Sequence, residues 1–126
     1  MIGTIKITYL DAVLKANKLR YVADSATLEC VACIERPVMI YPGGTVTVPL
    51  GFALTLTPGV AALLVPADWT GRNALVLDTV GLIDHQREIE ASLRNAGAIE
   101  VLIRPYDNVA RIVFVPVVKP TLDEVW

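Results

Sequence analysis

Proline and glycine divide this chain into short segments that are rich in β-branched residues. Pro42-Gly43-Gly44 and Pro58-Gly59 are strong turn signals, because proline presets one backbone angle and glycine accepts a positive one. Several segments alternate between polar and apolar residues, as in Thr45-Val46-Thr47-Val48, which is typical of strands with one face in water. The sequence therefore predicts an all-β fold with tight reversals.

The expected strands cover residues 5–10, 28–34, 45–49, 52–57, 61–65, 74–77, 99–104 and 109–118. Residues 10–19 predict a short helix instead. Residues 84–94 fit two structures: a helix capped by Asp84, with Ile89 and Leu93 on one face, or a strand with Ile89, Ala91 and Leu93 facing inward. Periodicity alone leaves both open.

The composition favours one domain that associates with copies of itself. The chain has 126 residues, of which 54% are apolar and only 19% charged, and its mean hydropathy is +0.54. Its longest uncharged apolar runs, residues 60–67 and 112–118, are shorter than the roughly 20 residues of a membrane-spanning helix. We therefore expect no membrane insertion, and an oligomer that covers the excess apolar surface.

The charge and the cysteine content limit which partners the protein is expected to bind and in which cellular compartment it is expected to work. Eleven Lys and Arg against thirteen Asp and Glu give a net charge of −2 without a basic cluster, so no DNA or RNA binding is expected. The first residues lack a signal-peptide pattern, which predicts a cytoplasmic protein with reduced thiols. Cys30 and Cys33 are expected to be buried and inert, because His85 is the only histidine and a zinc site needs more ligands.

Four strings of this chain are similar, in order and spacing, to the motif regions of one enzyme family. Residues 41–53, YPGGTVTVPLGFA, are similar to that family's proline-glycine hairpin, and residues 61–66, AALLVP, to the strand before its second motif. Residues 80–84, VGLID, look like the start of the third motif, and residues 103–118 resemble the fourth-motif region. These strings resemble the trimeric dUTP pyrophosphatases (dUTPases), and the chain is thus identified as a divergent member of the dUTPase superfamily.

The resemblance implies a distorted jelly-roll β-barrel that assembles as a homotrimer, with active sites between subunits. It implies that residues 1–126 form a single domain lacking the family's C-terminal glycine-rich arm, because few residues follow Val118. Asp84 takes the place of the carboxylate that orients the attacking water, while Mg²⁺ binds the triphosphate. Such a carboxylate can align a water and accept its proton.

Other motif residues depart from the family pattern. The first motif, S-A-G-x-D-L in the family, begins here as Ser25-Ala26-Thr27-Leu28 without the aspartate, for which Asp24 is an alternative carboxylate. After Pro66, Ala67 and Asp68 stand where the family has a phosphate-gripping arginine and a serine. We expect Asp68 to repel phosphates.

The third motif also departs after Asp84. His85-Gln86-Arg87 follow, without the tyrosine that packs under the deoxyribose or the glycine of the uracil-reading hairpin. Without the closing arm, turnover is expected to fall.

Three arginines are candidates for a rebuilt anion site, because forked guanidiniums bind phosphate in pairs of hydrogen bonds. The nucleotide- and phosphate-binding candidates are Arg72, Arg87, Arg111, Asp68, Trp69 and Gln86, and no metal-ligating residue is assigned. The alternatives are ordinary surface or intersubunit arginines, an apolar plug at Trp69 between subunits, and a turn residue at Asp84. His85 is expected to be solvated or packed.

These departures predict a homotrimer that binds a nucleotide or acts as a regulator, with weak or no dUTP hydrolysis. A viral or phage protein that sequesters a nucleotide in the host cytoplasm would fit. The alternative is an active dUTP or nucleoside triphosphate pyrophosphatase that releases pyrophosphate with Mg²⁺ and Asp84. A structural trimer without a ligand stays open as a third hypothesis.

Overall fold

The protein is built almost entirely of β-strands, as predicted. The computed structural model describes residues 4–23, 25–79, 81–83 and 87–126. The elements within these residues are β1 Lys6–Tyr9, α1 Ala12–Asn17, β2 Thr27–Val31, β3 Val38–Ile40, β4 Thr45–Thr55, β5 Val60–Pro66, α2 Asp68–Arg72, β6 Leu75–Leu77, β7 Gly81–Ile83, β8 Arg87–Asn95, β9 Val101–Ile103 and β10 Asn108–Pro116. In the part of the chain so described, no helix is long and apolar enough to cross a membrane.

Two four-stranded sheets enclose the core. Their strand orders are β1-β4-β8-β6 and β2-β10-β5-β7, and a small third sheet pairs β3 with β9. All pairs are antiparallel. Apolar side chains of both large sheets form one buried cluster, whose bulkiest members include Leu50, Phe52, Leu54, Leu64, Ile89, Leu93, Ile103 and Ile112.

Strand β8 decides between the two structures expected for residues 84–94. From Arg87 onward this segment is a strand that pairs with β4 on one side and β6 on the other. Ile89, Ala91 and Leu93 are buried, whereas Glu88 and Glu90 are exposed. The predicted helix is therefore wrong from Arg87 onward. A strand repeats every two residues and buries Ile89, Ala91 and Leu93, whereas a helix would bury only Ile89 and Leu93. Asp84, His85 and Gln86 lie outside the described residues.

The predicted turns form as their residues dictate. At the first turn, the Gly44 amide donates to the Tyr41 carbonyl at 2.8 Å, and Gly43 adopts a φ of +81°. At the second, the Val60 amide donates to the Thr57 carbonyl at 3.2 Å. Proline before a glycine of positive φ is the arrangement of a type II turn.

Several boundaries differ from the sequence prediction. The strands predicted over residues 45–49 and 52–57 are joined in one strand, β4, which ends at Thr55, and its pairing with β8 shifts register between Pro49 and Ala53. The predicted helix exists as α1, where the Leu14 amide donates to the Asp11 carboxylate at 3.0 Å. Three elements were missed, β3, α2 and β7, because three to five residues carry too little periodicity to be recognised.

Gly51 lies in the irregular part of β4 and tests how tightly this region packs. Its φ is +81°, and a Cβ there would lie 2.5 Å from the Cys33 Sγ. Gly59 has a similar φ of +87° but open space around it. We expect Gly59→Ala to cost about 1–2 kcal/mol of unfolding free energy from the backbone alone, and Gly51→Ala about 2–4 kcal/mol, because overpacking adds to that strain.

The measurement is the free energy of unfolding from urea denaturation of both variants and the parent protein. Equal losses at the two glycines would contradict the close contact between Gly51 and Cys33.

Candidate functional site

The outer face of the sheet β2-β10-β5 brings together charged residues from separate parts of the chain. Glu29 on β2 lies directly opposite Arg111 on β10. The Asn108 side-chain amide donates to Glu29 Oε1 at 3.1 Å. Glu29 is half-buried on the outward face of β2, where its neighbours Leu28 and Cys30 point into the core. A carboxylate is thereby held on this face beside an arginine.

Helix α2 brings a second carboxylate to the same place. Thr70, which is fully buried, donates its hydroxyl to the Val109 carbonyl at 2.6 Å, and this bond ties the short helix to β10. Asp68, the first residue of α2, lies with its Oδ2 3.1 Å from the Arg111 Nη2. The structure therefore unites two of the residues predicted for phosphate binding, Asp68 and Arg111.

The ion pair is asymmetric in its exposure. The Asp68 side chain is 74% exposed and that of Arg111 only 26%. The Arg111 Nε is buried and has no hydrogen-bond partner among the described residues. A pair this open contributes little to stability, at most about 1 kcal/mol, so its main effect is on the local charge.

Arg72 and Trp69 lie in a different place. Both line a pocket of about 350 Å³ together with Arg104, and neither Asp68 nor Arg111 is among the described residues that line it. The expected set of arginines is therefore divided between the carboxylate site and this pocket. The side chain of Arg87, like Asp84 and Gln86, lies outside what the structure describes.

Comparison with known proteins identifies the family. A family model described as dUTPase matches residues 21–126. The deoxyuridine 5′-triphosphate nucleotidohydrolase of Burkholderia thailandensis is 38% identical over 125 residues, covering 94% of this chain and 84% of that protein. The chain belongs to the dUTPase family.

Solved structures of dUTPases share the fold. A variant dUTPase of phage 80alpha matches with a TM-score of 0.83 at 17% identity, covering 99% of this chain and 90% of that one. A variant dUTPase from phage phi11 of S. aureus, described with a coordinated structural Mg(II) ion, matches with a TM-score of 0.82 at 16% identity, covering 98% and 97%. The predicted dUTPase-type jelly roll is confirmed.

The expectation of a binding or regulatory protein with weak or no dUTP hydrolysis is wrong. It is overturned by the 38% identity to a deoxyuridine 5′-triphosphate nucleotidohydrolase across 94% of the chain, which favours the alternative of an active dUTPase. The structure supplies a physical reason. Asp68 alone would repel phosphates, but Arg111 at 3.1 Å offsets its charge.

Glu29 is a candidate site residue that the sequence prediction missed. In the dUTPase pattern S-A-G-x-D-L, matched from Ser25 onward, the aspartate falls one residue after Leu28, and Glu29 stands there. The first motif therefore keeps its carboxylate with one extra methylene, and Asp24, the alternative proposed for it, lies outside the described residues. The sequence signal that could have found Glu29 is that an acidic residue directly follows Leu28.

Tyr106 was also missed. It occupies the fourth-motif position where dUTPases have glycine, and it keeps a glycine-like φ of +65°. Its hydroxyl donates to the Asp11 Oδ2 at 3.1 Å, and Asp11 in turn caps α1. Desolvation and this hydrogen bond raise the pKa of Tyr106. The hydrogen bond between the Tyr106 hydroxyl and Asp11 thus supports the strained backbone at Tyr106.

The two cysteines are free and hold no metal cluster within the described parts of the chain. Cys30 is fully buried, and burial raises its pKa to about 12. Cys33 lies beyond the end of β2 and is only half-buried, and burial raises its pKa to about 11. The raised pKa values keep both thiols protonated near neutral pH, but the expectation that both cysteines are buried is wrong for Cys33.

Proposed function

We propose that this protein hydrolyses dUTP to dUMP and pyrophosphate. The observation that carries the proposal is the 38% identity, across 94% of the chain, to the deoxyuridine 5′-triphosphate nucleotidohydrolase of B. thailandensis. Because the match covers 94% of the chain, it spans the four motif regions of residues 25–118 and not the scaffold alone.

The geometry of the carboxylate site supports this function. Glu29 belongs to the first motif, Asp68 to the second and Arg111 to the fourth, and the fold places all three on or beside the outer face of β2-β10-β5. Arg111 presents a forked donor group that suits a phosphate. An incoming phosphate would compete with Asp68 for that guanidinium, so Arg111 serves as the anion-binding residue and Asp68 as its partner when no ligand is bound.

Asp84 is the proposed water-orienting carboxylate. It directly follows Ile83, the last residue of β7, and stands in the G-x-I-D string of the third motif. Its carboxylate would accept the proton of a water that attacks the α-phosphate, and the electron pair of the broken P–O bond would leave with pyrophosphate. Gln86 and Arg87, close behind it in sequence, remain candidates for contacts to the nucleotide.

The residues present fit Mg²⁺. This ion prefers oxygen ligands and is often bound by one or two carboxylates together with substrate phosphates. Glu29 would supply such a carboxylate, and among the described residues the side-chain hydrogen bond to it, from Asn108, goes to Oε1. When bound, the ion would neutralise charge on the phosphates. A variant phage phi11 dUTPase is described with a structural Mg(II) ion.

The direct test is pyrophosphate release from dUTP in the presence of Mg²⁺. We expect release by the parent protein, and a rate about 10²–10⁴-fold lower for Asp84→Asn, because a lost general base costs that much. Glu35→Gln is the matched control, since Glu35 is an exposed acid on the bend between β2 and β3 and its removal should leave the rate unchanged. An unchanged rate for Asp84→Asn, or no release by the parent protein, would contradict the proposal.

We also propose that the protein acts as a homotrimer. A single chain leaves large apolar side chains in water, among them Tyr41 and Val76, with exposures of 66% and 37%. Such exposure is typical of an interface. The expected cytoplasmic location stays a prediction.

Static light scattering measures the assembly. We expect a mass three times that of the 13.6-kDa chain at micromolar concentration. A single-chain mass under these conditions would rule the trimer out.

A further inference from the structure

The pocket that contains Trp69 and Arg72 combines an aromatic ring with two separate cations. Arg72 comes from the last turn of α2, and Arg104 follows the end of β9. The described lining includes the aromatic Trp69, the apolar Ile99 and Leu102, and the polar or charged Arg72, Asn73, Glu100 and Arg104. The ion pairs found in the described parts of the chain join Arg94 to Asp78 and Arg111 to Asp68. Neither Arg72 nor Arg104 takes part in these described ion pairs, and both arginines are exposed.

The pocket walls are fixed before any ligand arrives. Asn95, which is 1% exposed, donates to the Ile40 carbonyl at 2.9 Å and to the Ile99 carbonyl at 2.8 Å. Its own side-chain oxygen accepts from the Gly97 amide at 2.9 Å. This buried side chain holds one wall, the loop between β8 and β9. A wall that needs no ordering on binding costs the ligand less entropy.

The helix side of the pocket is equally constrained. The Asn73 side chain donates to the Trp69 carbonyl at 2.7 Å. Ala74 adopts a positive φ of 56°, and its carbonyl accepts from the Ala96 amide at 2.9 Å. Trp69 itself is half-buried against the core. Non-glycine residues at positive φ are costly and cluster at ligand-binding sites.

Size distinguishes this pocket from the others. Its volume of about 350 Å³ lies within the usual range of ligand pockets, roughly 300–1,000 Å³. The pocket beside α1 is smaller, about 210 Å³. The groove beside the Pro58-Gly59 turn is larger, about 410 Å³, but has one cation, Lys119, and no aromatic residue. The Trp69 pocket alone among these joins sufficient volume, an aromatic ring and two cations.

We infer that this pocket binds a nucleoside monophosphate, at a site separate from the carboxylate site of the proposed reaction. The base would stack on the Trp69 indole, since stacking on aromatic side chains is worth about 1–3 kcal/mol per base. The phosphate would lie between the Arg72 and Arg104 guanidiniums. Glu100, the acidic residue of the described lining, would repel the phosphate toward the two arginines. Its carboxylate can accept a hydrogen bond from the sugar or base.

Tryptophan fluorescence tests the inference directly. The chain has two tryptophans, and Trp126 is fully exposed at the end of the chain, so Trp126→Phe leaves Trp69 as the only reporter. We expect dUMP to quench this fluorescence saturably. Arg72→Gln and Arg104→Gln should each weaken binding about tenfold, because each removes a charged hydrogen-bond donor. Arg36→Gln, at an exposed arginine outside the lining, should leave the affinity unchanged.

Three further measurements in the same background separate this site from the other possibilities. Inorganic phosphate and deoxyuridine should each bind much more weakly than dUMP, because each engages half of the pocket. Arg111→Gln should leave quenching by dUMP intact. Quenching that Arg111→Gln abolishes and Arg104→Gln preserves would place dUMP at the carboxylate site and overturn the inference.

No saturable quenching, or equal binding of phosphate alone, would also overturn it. Because the measurement follows binding and not pyrophosphate release, it stands whether or not the protein hydrolyses dUTP.

Discussion

The buried hydrogen bond from the Thr70 hydroxyl to the Val109 carbonyl sets the position of α2 and of the side chains that α2 carries. The bond is 2.6 Å long and closed to water, so losing it would leave an unsatisfied polar group in the core. It holds a five-residue helix that could not persist alone. From this anchor Asp68 reaches Arg111 on β10, while Trp69 and Arg72 turn to the neighbouring pocket. One contact thus supports both candidate sites.

Charge balance links the unusual second and fourth motifs. The dUTPase pattern places an arginine and a serine after the proline, whereas Ala67 and Asp68 follow Pro66 here, and Arg111 stands at the glutamine position of the fourth motif. Each change alone would alter the charge that meets a triphosphate. Together they place opposite charges 3.1 Å apart, so Arg111 offsets the charge of Asp68.

The parts of the fold governed by local chemistry could be predicted from the sequence. Pro42 with Gly43 specifies its turn. The strand that holds Ile89, Ala91 and Leu93 could not be told from a helix, because its pairing with β4 and β6 is non-local. The Asp68–Arg111 pair could not be predicted, because it depends on the register of β10 against β5 and on how Thr70 anchors α2. Glu29 could have been found by counting one residue beyond Leu28.

A double-mutant cycle on kcat/KM is the most direct test of the proposal that Asp68 and Arg111 act as one unit in dUTP hydrolysis. The cycle measures the coupling between the two side chains. Arg111→Gln leaves the Asp68 carboxylate unpaired against the triphosphate, so we expect a loss of about 100-fold. Adding Asp68→Ser should recover at least about tenfold, because the repelling charge is then gone. A double variant whose loss equals the product of the two single losses would contradict the account.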